Sequence, residues 1–302
     1  MRKFFLVPLA CAGLFLSFNT IKKPAADFPI KQQTLSTKKN PQISDTLSRN
    51  TLTPVPNKKG WISLFNKKNI DDWFVKIAHH EVGENYGNTF RVEDGMVKVR
   101  YDQYDDFNDQ FGHLYYKVPY SYYHLVVEYR FVGELQKGAP DYTLRNSGVM
   151  FHSQDPRTMP KEQDWPISVE MQFLGGLGDG KPRPTGNMCS PGTNVVYQGK
   201  IAASHCLNST SKTYHGDQWV RAELIVLGDS LITHIINGDT VLQYSKPQIG
   251  GGTANNYDPK IKIDGKLLSS GYIALQSEGQ PIDFRKVELK DLSALKEKTK
   301  RK

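Results

Sequence analysis

Residues 219–244 read WVRAELIVLGDSLITHIINGDTVLQY, and this stretch decides the fold class. Apolar and polar residues alternate along three runs, Trp219–Leu227, Leu231–Ile236 and Thr240–Tyr244. Gly-Asp-Ser and Asn-Gly-Asp separate the runs, and such short turn sequences join antiparallel strands. The stretch therefore predicts a meander of three antiparallel strands.

The same pattern recurs on both sides of this meander, while helical periodicity is weak. The other predicted strands are Thr89–Val92 and Met96–Val99 around an Asp-Gly turn, then Tyr123–Val132, Gly148–His152, Ile167–Leu174, Gly271–Gln276 and Ile282–Leu289. A long polar section over residues 175–216 is expected to cover one end of the domain. More than ten short strands with almost no helix predict an all-β fold of two packed antiparallel sheets.

The two ends of the chain differ in composition from its middle. Residues 1–20 combine a basic start with an apolar run, which is typical of an export signal peptide, and Cys11 in that run leaves a lipid anchor open. Residues 21–59 predict a flexible basic linker, residues 60–292 a single domain, and residues 293–302 a basic tail. We expect an exported protein, periplasmic or on the cell surface, that meets a membrane only through such an anchor.

The net charge of +8 does not point to nucleic acid. The basic excess lies in the two ends of the chain, whereas the predicted domain is mildly acidic. A nucleic-acid-binding protein carries its positive charge on a folded face, so the sequence does not favour that class of partner.

Two cysteines, Cys189 and Cys206, remain after removal of a signal peptide. An oxidising compartment permits a disulfide between them, and two free thiols are equally compatible with the sequence. His205 beside Cys206 does not predict a metal site, because no C-x-x-C pair accompanies it.

Three groups of motifs, in this order along the chain, resemble the 3-keto-disaccharide hydrolase family. The first group is Gly60-Trp61-Ile62-Ser63-Leu64-Phe65-Asn66 with Phe90-x-Val92-x-Asp94-Gly95-Met96. The second group is Asn146-Ser147-Gly148-Val149-Met150-Phe151 with Val169-Glu170-Met171-Gln172-Phe173-Leu174. The third group is Gly271-Tyr272-Ile273-Ala274-Leu275-Gln276-x-Glu278-Gly279. The resemblance covers about residues 60–292. It implies a concanavalin A-like jelly-roll sandwich and cleavage of disaccharides or glycosides that carry a ketone at C3 of one sugar.

A C3 ketone makes the C2 hydrogen of that sugar acidic, so a base can remove it and the resulting enolate can expel the C1 substituent before water adds. The enolate oxygen then needs a positive group, which an arginine or a divalent metal ion can supply. No cofactor is certain from the sequence, and a divalent metal stays open. The predicted catalytic residues are Glu170 and His152, as candidate bases, and Arg145, as the candidate positive group.

Gln172 lies two residues after Glu170 on a predicted strand, so both side chains share one face. The other predicted substrate-binding residues are Asn146, Trp165, Gln276, Glu278 and Arg285. Each of them also fits an ordinary strand or loop position. A non-catalytic, lectin-like carbohydrate-binding module is therefore the alternative function, and convergence of Glu170, His152 and Arg145 in one pocket would favour catalysis over binding.

Overall fold

The computed structural model describes residues 56–295, and these residues form an all-β sandwich. The predicted export signal with Cys11, most of the predicted linker and most of the predicted tail lie outside the described residues, so these remain predictions. Within residues 56–295, no helix has the length and hydropathy needed to cross a bilayer.

The larger sheet has ten strands among the described residues, and all of its strand pairs are antiparallel. Nine strands run in the spatial order β11-β10-β15-β14-β13-β6-β17-β4-β3, and β1 pairs with β17. They are β1 (Trp61–Ser63), β3 (Phe90–Glu93), β4 (Met96–Val99), β6 (Tyr122–Phe131), β10 (Thr193–Tyr197), β11 (Lys200–Ile201), β13 (Val220–Leu227), β14 (Leu231–Ile236), β15 (Asp239–Ile249) and β17 (Ile282–Asp291).

The smaller sheet has seven described strands, in the spatial order β12-β9-β8-β7-β16-β5-β2, again with antiparallel pairing throughout. They are β2 (Trp73–Ile77), β5 (Gly112–Tyr116), β7 (Asn146–Ser153), β8 (Val169–Leu174), β9 (Asn187–Cys189), β12 (Cys206–Leu207) and β16 (Tyr272–Ser277). The predicted two-sheet antiparallel jelly-roll sandwich is therefore confirmed.

The hydrophobic core lies between the two sheets because alternate residues of each strand point inward. On β8, Met171 and Phe173 are buried in this core, as the sequence predicts. The ring of Phe173 stacks on that of Tyr129 from β6 at a centroid distance of 4.0 Å, which ties one sheet to the other. Each large side chain buried in this way contributes about 1.5–3 kcal/mol relative to exposure.

The predicted tight turns are also confirmed. Asp94 and Gly95, between β3 and β4, have φ of 54° and 69°, and Asn237 and Gly238, between β14 and β15, have 49° and 96°. Positive φ at both central residues is the signature of the type I′ hairpin turn, whose twist matches that of the flanking strands.

The sequence did not predict every strand. In β5 all five residues are buried, so no alternation marks it as a strand. The polar section over residues 175–216 is not a plain loop, because it contains the short strands β9 to β12. Cys206 pairs with Cys189 across β12 and β9, and a disulfide joins them, which decides between the two states that the sequence left open.

Candidate functional site

The site lies on the face of the smaller sheet that points away from the core, where β8, β7 and β16 are neighbours. Glu170 and Gln172 of β8 point to this face because Met171 between them points to the core. Gly148 of β7 stands opposite Gln172, and Gln276 of β16 continues the same row in the register of that strand pair. The three strands therefore place the predicted polar side chains together, as their spacing requires.

Gly148 leaves the space that the carboxyl group of Glu170 occupies. A Cβ atom at position 148 would collide with Oε1 of Glu170 and lie 2.9 Å from its Cγ. The φ of Gly148 is not positive, so the need for glycine here comes from the close approach of the side chain and not from the turn geometry of the backbone.

A cavity of about 280 Å³ opens above these strands. The carboxyl groups of Glu170 and Glu278 belong to its wall. The full lining is Tyr142, Asn146, Trp165, Glu170, Gln172, Cys189, Pro191, His205, Cys206, Thr253 and Glu278.

The two carboxyl groups are almost fully buried and lack a salt bridge within the described residues. Glu170 is 7% exposed and Glu278 is 4% exposed, and neither forms an ion pair within residues 56–295. Oε1 of Glu278 accepts a hydrogen bond of 3.1 Å from Nε2 of Gln276, whereas its Oε2 has no partner among the described residues.

Burial raises the pKa of both groups because the charged form loses its hydration. The pKa of Glu278 rises to about 8, and the guanidinium of Arg183 acts against this rise. The pKa of Glu170 rises well above its ordinary value through burial and through the charge of Glu278. The hydrogen bond from Gln276 and the charge of Arg183 favour the ionised form of Glu278, whereas burial and the charge of Glu278 disfavour the ionised form of Glu170.

The walls of the cavity are aromatic on two sides and covalently fixed on a third. Trp165 packs edge-on against His113 at 5.6 Å and tilted against Phe111 at 4.8 Å. Tyr142, on the one-turn 3-10 helix Asp141–Thr143, is 58% exposed at the rim. On the third side, the disulfide brings the residues beside Cys206 next to β8, since Cys189 is the cross-strand neighbour of Glu170.

Several oxygen atoms in or beside the cavity lack a hydrogen-bond donor. Oδ1 of Asn146, Oε1 of Gln276 and Oε2 of Glu278 are buried and unpaired among the described residues. Buried polar atoms are nearly always satisfied in native proteins. This set of acceptors is therefore complementary to a ligand that supplies hydroxyl hydrogens or positive charge.

Most of the residues predicted from the sequence meet here. Glu170, Gln172, Asn146, Trp165 and Glu278 line the cavity, and Gln276 holds Glu278 from the adjoining position.

The other three predicted residues lie elsewhere. His152 lines a different cavity at the end of β7, and Arg145 donates to the backbone oxygen of Gly216 instead of approaching Glu170. Arg285 belongs to the larger sheet, where it pairs with Glu128 at 2.6 Å. Glu170, His152 and Arg145 thus do not converge, and the partner that Glu170 does meet is Glu278.

Sequence reasoning missed Tyr142, His205 and Gly148 as site residues. Tyr142 and His205 come from loops whose path no periodicity reveals. Gly148 interrupts an apolar strand pattern, and a glycine within a strand is the signal of a close approach that could have identified it.

Solved structures with a similar architecture are distant in sequence. Two from Parabacteroides distasonis, each provisionally described as a glycosyl hydrolase, are 18% identical to this chain. For the first, the TM-score is 0.47 and the match covers 77% of this chain and 99% of the other chain. For the second, the TM-score is 0.48 and the match covers 79% of this chain and 99% of the other chain. A Bacillus subtilis protein of unknown function with a galectin-like fold is 12% identical, with a TM-score of 0.37 and coverage of 76% and 94%. No curated protein matches the chain.

The family assignment comes from the sequence of the whole sandwich. Residues 60–290 match the family described as the 3-keto-alpha-glucoside-1,2-lyase-like domain. The match spans the segment over which the motifs resemble the 3-keto-disaccharide hydrolases and confirms that resemblance. The chain belongs to this family.

Proposed function

We propose that this protein cleaves glycosidic bonds in 3-keto-disaccharides or 3-keto-glycosides by removal of the C2 proton, elimination and hydration. The observation that carries the proposal is the pair of buried carboxyl groups, Glu170 and Glu278, in one cavity with raised pKa values. A family of 3-keto-glucoside lyases supplies the matching substrate class.

The unequal surroundings of the two carboxyl groups divide the acid and base roles between them. Glu278, which ionises first, is the base that takes the proton from C2. Glu170, which keeps its proton, is the acid that protonates the leaving oxygen as the bond from C1 breaks and the C1–C2 double bond forms. Water then adds at C1 and a proton returns to C2, so the balance is hydrolysis.

The enolate oxygen at C3 needs a hydrogen-bond donor, and Gln172 is placed to provide one. Its Oε1 accepts a hydrogen bond of 3.1 Å from Asn187, which turns the Nε2 hydrogens toward other partners, and Gln172 lines the cavity. A donor already oriented at the position where negative charge develops lowers the barrier without reorganisation.

A divalent metal ion fits the same site. Carboxylate and amide oxygens are the ligands that hard cations take, and Asn146 Oδ1, Gln276 Oε1 and Glu278 Oε2 offer them without competing donors among the described residues. A cation held there would polarise the C3 carbonyl. Metal analysis of the purified protein tests this part of the proposal alone.

The cleavage itself is tested by incubating the pure protein with a 3-keto-glycoside in D₂O. We expect release of the aglycone and incorporation of deuterium at C2, because the proton removed from C2 exchanges with solvent before it returns. Tight binding of unoxidised glycans without turnover of any keto-glycoside would reject the proposal and identify a carbohydrate-binding module instead.

A further inference from the structure

A second cavity, of about 230 Å³, lies at the end of β7 and contains neither Glu170 nor Glu278. The two linings have no residue in common, although Trp165 lines the first cavity and Ile167, close in sequence, lines the second. The second cavity is lined by His152, Ser153, Gln154, Asp155, Thr158, Ile167, Ile249, Ile261, Lys266, Leu268 and Ser270.

The polar part of this wall contains a buried hydrogen-bond acceptor, Nδ1 of His152, that has no partner among the described residues. His152 is 2% exposed, and its Nε2 lies 2.9 Å from the carbonyl oxygen of Gly228. Because a carbonyl oxygen only accepts, Nε2 carries the proton and Nδ1 is an acceptor, which has no partner among the described residues. Ser153 is 3% exposed, and its side chain interacts with the hydroxyl group of Tyr115. Leaving an acceptor such as Nδ1 of His152 buried and unpaired costs about 1–3 kcal/mol.

The backbone holds His152 firmly in this position. Its φ is 46°, a left-handed conformation that is unfavourable for a residue with a side chain. Gly271 packs so closely on it that an added Cβ would lie 2.6 Å from the Cα of His152. A strained residue that carries an unpaired acceptor is the kind of feature that accompanies ligand binding.

The remaining walls specify the ligand chemistry. Ile167, Ile249 and Leu268 form an apolar side, while Ser270 and Lys266 at the exposed mouth offer hydrogen-bond donors. The volume is below the roughly 300–1,000 Å³ that drug-sized ligands occupy, which suits one ring. A pyranose combines an apolar C–H face with hydroxyl groups that both donate and accept.

We propose that the second cavity is a separate binding site for a single pyranose unit, whose hydroxyl group donates to Nδ1 of His152. The site goes beyond the proposed cleavage reaction, because it contains neither of the two carboxyl groups and needs no ketone on the sugar. The low pKa of His152, about 4 through burial, keeps the ring neutral and Nδ1 available at neutral pH.

The test is titration of the full chain with methyl α-D-glucopyranoside, followed by calorimetry and by the ¹⁵N resonance of His152 Nδ1. The variant Ser270→Trp closes the mouth, and Ser269→Trp is the matched control, since Ser269 is an exposed neighbour outside the cavity lining. We expect the Nδ1 resonance to shift on binding in the wild type and in Ser269→Trp. Ser270→Trp should weaken this response at least tenfold while leaving the rate of keto-glycoside cleavage unchanged.

Identical titrations for the wild type and Ser270→Trp, or a wild-type Nδ1 resonance that the glycoside leaves in place, would overturn the second site. Failure of the cleavage reaction is a separate result. A protein that turns over no keto-glycoside but binds the glycoside in a manner sensitive to Ser270→Trp loses the proposed function and keeps the second site.

Discussion

The carboxyl groups on the outer faces of the two sheets differ in their partners. On the larger sheet, Glu128 pairs with Arg221, Arg285 and Lys286, and Arg285 also stacks on Trp219 at 4.3 Å. On the smaller sheet, Glu170 and Glu278 are almost fully buried and form no salt bridge within residues 56–295. Exposed pairs contribute little to stability, whereas unpaired buried carboxyl groups are costly. The difference indicates that the smaller sheet carries a cost in stability that the larger sheet does not, and the proposed function gives a reason for this cost.

Replacing one carboxyl group on each face should give the largest contrast. Glu170→Gln removes the proposed general acid, so we expect kcat/KM for a 3-keto-glycoside to fall about 100-fold or more, the usual contribution of such a group. Glu128→Gln makes the same change on the larger sheet and should leave kcat/KM within about twofold of the wild type. Steady-state kinetics of both variants decide the matter, and equal losses would show that the two faces do not differ in function.

The pH dependence of cleavage should report the unpaired pair. With its pKa near 8, Glu278 gains its negative charge as the pH rises, so kcat/KM should increase through about pH 8 and fall at higher pH when Glu170 loses its proton. Glu278→Gln should remove the rising limb and lower the plateau by at least tenfold. A profile that is flat between pH 6 and pH 9 in the wild type would exclude Glu278 as the base.

Filling the space beside Glu170 should have a smaller effect. Gly148→Ala places a methyl group against Oε1 of Glu170, and overpacking of this kind typically costs about 1–3 kcal/mol. We expect a lower melting temperature and a roughly tenfold loss of kcat. Gly252→Ala is the matched control, because a Cβ there meets no atom within 4 Å. Normal activity of Gly148→Ala would show that Glu170 does not need its observed position.

Period-two alternation on one strand was sufficient to predict half of the site. Glu170 and Gln172 share a face because Met171 and Phe173 must enter the core, and antiparallel neighbours then bring Asn146 and Gln276 beside them. The family resemblance added the expectation of a jelly-roll sandwich.

Two residues that the sequence predicts in the site, His152 and Arg285, lie outside it for reasons that the spacing of residues does not reveal. The register of β16 against β7 shifts between Tyr272 and Ala274, beside the left-handed φ of His152. Arg285 misses the site because β17 belongs to the larger sheet, and a register shift between Phe284 and Lys286 also sets it in a bulge. A bulge changes the face to which a side chain points, and no spacing in the sequence marks it. The sequence also could not predict the pKa of Glu278, since it depends on burial in the folded protein and on the charge of Arg183, a residue distant in sequence.

Stability should also depend on pH through the carboxyl group of Glu278. Glu278 has a pKa of 4.5 when unperturbed and about 8 in the fold, so between these values the unfolded chain has lost a proton that the folded chain keeps. Its contribution to the free energy of unfolding is present below pH 4.5 and declines by up to about 1.4 kcal/mol per pH unit as the pH rises toward 8. Glu278→Gln should therefore gain stability relative to the wild type between pH 5 and pH 8.

Urea unfolding at several pH values measures this difference. The buried histidines act with the opposite sign, since burial lowers the pKa of His113 to about 3 and that of His152 to about 4, and their contribution is lost as the pH falls below 6.5. Both proteins share these histidines, so the difference between them isolates Glu278. A difference that stays constant with pH would mean that Glu278 is ionised in the folded protein.

The smallest effect is expected at Arg285, a residue that the sequence placed in substrate binding. Its guanidinium is 45% exposed and pairs with Glu128 on the larger sheet, so Arg285→Ala should lower the free energy of unfolding by about 0–1 kcal/mol. KM and kcat for the keto-glycoside should not change. Asp283→Asn sharpens the contrast on the same strand, because that carboxylate is 1% exposed between Arg100 and Arg130, and removing a buried partner costs about 3–5 kcal/mol. A raised KM in Arg285→Ala would instead show that substrate contacts the larger sheet. The proposed difference in function between the outer faces of the two sheets would then be wrong.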